Sequence, residues 1–138
     1  MTFLRDHVAL FAGVADAELE LLAMSSTLSQ HAAGSTILFK GATVDGLHVV
    51  CAGKVAVWTK APNKPAAKAA ELGQGEVFGE TSIVEMGTAG ATVKASEDCM
   101  VLMIPQEAFR RLLQRDEAFA VRVNTLIRAR KAAPVVPA

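Results

Sequence analysis

A chain of 138 residues that is 51% hydrophobic and 20% charged is one domain in length and lies well away from the composition of disordered segments. Fourteen basic side chains balance fourteen acidic ones, a balance that implies no broad affinity for polyanions. No apolar run approaches the ~20 residues a membrane span needs, and Arg5, Asp6 and His7 break up the N-terminus, so neither a spanning helix nor a signal peptide is expected and the protein reads as cytoplasmic.

From Phe3 to Met24 the hydrophobic spacing is helical. Leu4, Val8 and Phe11 share one face, and after a break at Gly13 a second helix, capped by Asp16, places Leu19, Leu22 and Ala23 together. From about Leu28 to Ile104 the pattern changes to short runs rich in Val, Ile and Thr between closely spaced glycines, the mark of an antiparallel sandwich or barrel. The expected strands are Ser35 to Phe39, Leu47 to Cys51, Lys54 to Thr59, Ala67 to Leu72, Ala91 to Ser96 and Cys99 to Ile104, with a loop from Lys60 to Lys68. Pro105 suits the first position of a helix with Phe109, Leu112 and Leu113 buried. A last helix from Asp116 to about Lys131 sets Phe119, Val123, Leu126 and Ile127 on one face. Residues 1–131 therefore read as one domain and 132–138 as a flexible tail.

Cys51 and Cys99 are too few for a disulfide framework or a cysteine-rich zinc site, and free buried thiols are expected. His7, His31 and His48 do not fall at ligand spacing, so a histidine-held haem or metal is the least favoured reading, and no metal residues are assigned. No catalytic residues are assigned either: the sequence has no nucleophile elbow and no lysine-bearing phosphate loop, and the chain does not read as an enzyme. Residues 106–138 hold seven basic against three acidic side chains, which is +4 there and −4 elsewhere. The excess reads either as a patch for nucleic acid or an acidic partner, or, preferably, as helix surface with cations toward a helix C-terminus.

The segment Val77 to Ala95, VFGETSIVEMGTAGATVKA, carries the chemistry. A short helix that starts just after Gly79 offers backbone N–H groups, those of Thr81 and Ser82 among them, to an anion. The segment resembles the phosphate-binding cassette of cyclic nucleotide-binding domains, which runs Phe-Gly-Glu, a helical turn, then Gly-Thr-Pro-Arg-Ala-Ala-Thr-Val. Phe78, Gly79, Glu80, Gly87, Thr88, Ala91, Thr92 and Val93 match it, one residue is missing, and the arginine position is Ala89. Phe11 with Gly13, and Gly34, Leu38, Phe39, Gly41, Asp45, Leu47, Val49, Gly53 and Val55, extend the likeness over roughly Val8 to Lys131.

The resemblance implies a mainly β fold: an antiparallel, jelly-roll-like double-stranded β-roll with N-terminal helices, a short cassette helix and C-terminal helices. It implies a ligand site at Gly79, Glu80, Thr81, Ser82, Ala89 and Gly90, with Glu80 accepting a hydrogen bond from a ribose 2′-hydroxyl and the Gly90 amide facing the phosphate. No cofactor is required, and the implied ligand is cAMP or cGMP. Charge-assisted hydrogen bonds contribute about 1.5–3 kcal/mol each, so losing a bidentate arginine removes on the order of 3–5 kcal/mol, or two to three decades of affinity. The hydroxyls of Thr81 and Ser82, with Lys94 or Lys40, are the candidates to compensate. The resulting expectation is a stand-alone signalling module with a degenerate cassette that relays occupancy through its C-terminal helix, or, alternatively, a ligand-free protein-interaction module. Action through a protein partner in trans, a weak homodimer along Asp116 to Lys131 and no direct DNA contact complete it.

Overall fold

The computed structural model describes residues 2–60 and 62–132 of the chain. Helix α1 (Thr2–His7), a 3-10 turn (Ala9–Phe11) and helix α2 (Asp16–Ser25) open it and bury Leu4, Val8, Phe11, Leu19 and Leu22, as the spacing predicts. Asp16 does not cap α2. Ala15 holds the cap position without a side-chain bond, and Asp16 lies in the first turn, where a carboxylate is favoured by the helix dipole.

Eight strands follow: β1 (Thr27–His31), β2 (Thr36–Leu38), β3 (Gly46–Ala52), β4 (Val55–Thr59), β5 (Ala67–Leu72), β6 (Val77–Phe78), β7 (Thr92–Ala95) and β8 (Cys99–Pro105). They form two four-stranded antiparallel sheets, ordered β1-β8-β3-β6 and β2-β7-β4-β5, which is the double-stranded roll expected. Val50, Val55, Leu72, Phe78, Val93, Ala95, Cys99 and Val101 fill one buried cluster, while Leu47, Val49, Leu102 and Ile104 join the helices in a second. The first sheet is thus covered on both faces, and the near-continuous apolar runs of β3 and β8 follow from that.

Two strands escape the sequence pattern. The TLSQH segment of β1 leaves four of its five residues exposed at the edge of the sheet, so no buried period marks it, although it pairs with β8 from Thr27↔Met103 to His31↔Cys99. Strand β6 is only two residues long.

Helix α3 (Glu80–Val84) interrupts the roll, and helices α4 (Gln106–Arg115) and α5 (Glu117–Ala132) close the described chain. Pro105 ends β8 and is the residue before α4, one position earlier than expected. Asp116 caps α5, its Oδ1 accepting the Phe119 N–H at 3.0 Å. The Phe119 ring lies against Phe11 (centroids 5.3 Å apart, stacked) and edge-on to Phe109 (5.8 Å), tying α5 to both ends of the helical layer. Phe119 and Val123 are fully buried in the chain's own core, so the dimer seam that the sequence spells is already occupied. Residues 133–138, most of the expected tail, lie outside the described residues, and Ala132 ends α5.

Candidate functional site

Strand β6 delivers the backbone to Gly79, which adopts φ +95° immediately before α3. A Cβ at that position would sit 3.1 Å from the Gly46 carbonyl oxygen and 3.1 Å from Val44 Cγ1, so the turn demands glycine both for its dihedral and for space. The amides of Thr81 and Ser82, in the first turn of α3, have no preceding turn to donate to. Past the helix, the Gly87 N–H donates to the Ser82 carbonyl (2.9 Å) and Ser82 Oγ donates to the Thr88 carbonyl (3.1 Å). The Ser82 hydroxyl therefore closes the cassette loop and is not the spare donor expected. The Ala89 N–H donates to the Ala42 carbonyl (2.9 Å) and the Gly41 N–H to the Ala89 carbonyl (2.8 Å), which pins the returning chain beside the roll.

These turns bound a cavity of about 430 Å³, within the range of small-molecule sites. All six sequence-predicted residues, Gly79, Glu80, Thr81, Ser82, Ala89 and Gly90, line it together. Its floor is apolar, from Leu38, Val57, Leu72, Phe78 and Val93. Neither Lys40 nor Lys94 is on the wall: the Lys40 ammonium donates to the Lys60 carbonyl, and Lys94 is exposed, facing away from its buried neighbour Val93.

A cation does reach the cavity, from elsewhere in the chain. Glu80 is 1% exposed, the buried charged residue among those described, and the Arg130 guanidinium of α5 donates to its Oε1. A carboxylate so far from water requires such a partner. Lys131 pairs with Glu85, just past the end of α3, and Arg110 of α4 donates to the Ile83 carbonyl at 2.6 Å.

The match to known proteins shows the family of the chain. Residues 28–116 fit the family model described as the cyclic nucleotide-binding domain. The chain belongs to the cyclic nucleotide-binding domain family. It is 30% identical over 106 residues to the cyclic AMP receptor protein of Thermus thermophilus, covering 77% of this chain and 49% of that protein. It is 30% identical over 98 residues to lysophospholipase nte1 of Neosartorya fischeri, covering 71% of this chain and 6% of that enzyme. The chain thus spans half or less of these relatives. The regulatory subunit of a cAMP-independent protein kinase A from Trypanosoma brucei shares the fold with a TM-score of 0.81 at 19% identity, over 96% of this chain and 46% of that one.

In this cyclic nucleotide-binding domain the sequence does not point to Arg130, Lys131 or Arg110, because contacts between residues 27 to 50 positions apart leave no local spacing. The available signal is the basic excess after residue 106. Five of its seven cations make internal contacts: Arg110, Arg130 and Lys131 on the cassette, Arg115 with Glu18 (3.0 Å), and Arg122 on the Leu10 carbonyl (3.0 Å).

Beside the cassette, the His48 ring stacks on Phe78 (centroids 4.7 Å) and its buried Nδ1 has no hydrogen-bond partner. Burial pushes its pKa down to about 4, with the Gly46 backbone opposing first, His31 acting in the same direction as burial, and Asp45 opposing more weakly. The unfolded chain, titrating near 6.5, binds the proton first, so this contribution to stability is complete above pH 6.5 and is lost as pH falls toward 4. Its size is on the order of 3 kcal/mol. Urea titrations at pH 7.5 and pH 5 are expected to show a smaller loss of stability at acid pH in His48→Phe than in the natural chain; equal losses would remove His48 from the account.

Proposed function

We propose that this domain, residues 1–131, is a non-enzymatic cytoplasmic signalling module whose cavity binds a cyclic nucleotide weakly, or another anionic ligand, and that occupancy is relayed through α5 to a protein partner. The supporting observation is the single cavity that gathers Gly79, Glu80, Thr81, Ser82, Ala89 and Gly90 over an apolar floor. With five of the seven C-terminal cations engaged internally, a protein partner is favoured over DNA, and any homodimer uses a face of α5 other than the buried Phe119 and Val123 seam.

Melting the protein against cAMP, cGMP and cyclic dinucleotides tests the reading, since ligand at a hundred times Kd adds about 2.7 kcal/mol of stability. Silence across the panel would favour the alternative, a ligand-free interaction module. That second reading draws on the Glu80–Arg130 pair, which satisfies the carboxylate without any ligand.

Ala89→Arg is the complementary change. Ala89 lines the cavity, and a form of the trypanosome regulatory subunit carrying three substitutions, one of them threonine to arginine, is bound to cAMP in its A site. Calorimetry is expected to show cAMP binding to Ala89→Arg at least tenfold tighter than to the natural chain, the return on one charge-assisted contact. No gain would mean that the cavity does not hold the phosphate near residue 89.

A further inference from the structure

We propose that Arg130 is the anion-binding cation of this pocket, supplied by α5 in place of the arginine absent at Ala89, so that the ligand is an oxyanion carried on an apolar body and is met from the helix rather than from the cassette. The inference rests on the cavity being a ligand site.

Four observations carry it. Arg130 lies on the wall of the same cavity as Gly79, Thr81, Ser82 and Gly90, with Lys131 beside it, and among the described residues these are the cations that line it. The guanidinium has five donors in a rigid fork, and its contact with Glu80 Oε1 leaves donors over for a second oxyanion. Its side chain is 29% exposed where that of Glu80 is 2%, so Arg130 is the half of the pair that a ligand entering from solvent meets first. The floor beyond it, formed by Leu38, Val57, Leu72, Phe78 and Val93, offers no charge and suits an apolar or aromatic body.

Glu80 acquires a second role in this arrangement. As Arg130's resident counter-ion it competes with an incoming anion, while its remaining lone pairs stay able to accept a hydroxyl. A cavity set up in this way binds a bare anion poorly and favours a ligand that presents an acidic group and a hydroxyl together.

The test measures Kd by calorimetry for cAMP, adenosine and inorganic phosphate. Arg130→Gln is expected to weaken cAMP about ten- to a hundredfold, the range of one lost charge-assisted contact, with adenosine unchanged. Arg130→Lys should recover part of the loss. Arg128→Gln, an exposed position on the same helix that is not on the cavity wall, should bind as the natural chain does. Glu80→Gln is expected to tighten inorganic phosphate severalfold by releasing the guanidinium, a gain that a purely structural Arg130 would not give. If Arg130→Gln fails to fold, the Glu80→Gln/Arg130→Gln double variant carries the comparison, since it buries no unpaired charge.

Equal cAMP affinity in Arg130→Gln and the natural chain, or no phosphate gain in Glu80→Gln, overturns the role of Arg130 and leaves the pocket standing. Absence of cAMP and phosphate binding to the natural chain, Ala89→Arg and Glu80→Gln alike at millimolar concentration overturns both the role and the pocket.

Discussion

Phe119→Ala is expected to destabilise the domain by about 3–5 kcal/mol, the usual range for removing a fully buried aromatic ring. The ring has no exposed surface and stands between Phe11 and Phe109, so its loss opens a cavity bounded by three separate elements that cannot all collapse into it. Adjacent aromatic pairs add about 0.5–1.5 kcal/mol beyond the area they bury, and two such pairs vanish together here. Denaturant unfolding followed by circular dichroism measures the change. A loss below about 1 kcal/mol would mean that α5 does not depend on this ring for its seat, and the attachment would have to be sought elsewhere.

Arg130→Ala is expected to cost about 2–4 kcal/mol at neutral pH. Removing one partner of a buried ion pair costs about 3–5 kcal/mol because the other charge is left unpaired, and the partial exposure of Arg130 lets some water reach the site and lowers the figure. The companion change distinguishes pairing from packing. If the penalty comes from an abandoned carboxylate, Glu80→Gln in the Arg130→Ala background restores much of the lost stability. Additive losses in the two single variants and the double variant would show that the pair is not coupled and that Arg130 stabilises through its aliphatic stem alone.

The reach of the sequence can be seen in particular residues. Gly79, with Phe78 before it and Glu80 after it, is legible because a positive φ beside a neighbouring backbone leaves no other residue type free of strain, and the interior runs of β3 and β8 are legible because burial on two faces removes their polar positions. Strand β1 is not legible: its TLSQH residues owe their conformation to pairing with β8, some seventy positions away, and not to any period of their own. The same physics hid Arg130. Its contact with Glu80 spans fifty residues, and a count of seven bases against three acids says only that cations are present, not that five of them turn inward. Strand alternation decides against Lys94, since Val93 takes the inward face and its neighbour must point out.

Helix α3 is five residues long, too short to hold itself in water, and it is gripped from α4 and α5 at its first residue, near its last and just beyond it. Such a segment borrows its order. In native-state hydrogen exchange, the amides of Val84 and Glu85 should therefore open with the same free energy as those of the last two turns of α5, as one cooperative foldon, while β3 and β8 stay closed to the global limit. Cassette and terminal helix would then melt and re-form as a unit, and whatever steadies one would slow the exchange of the other.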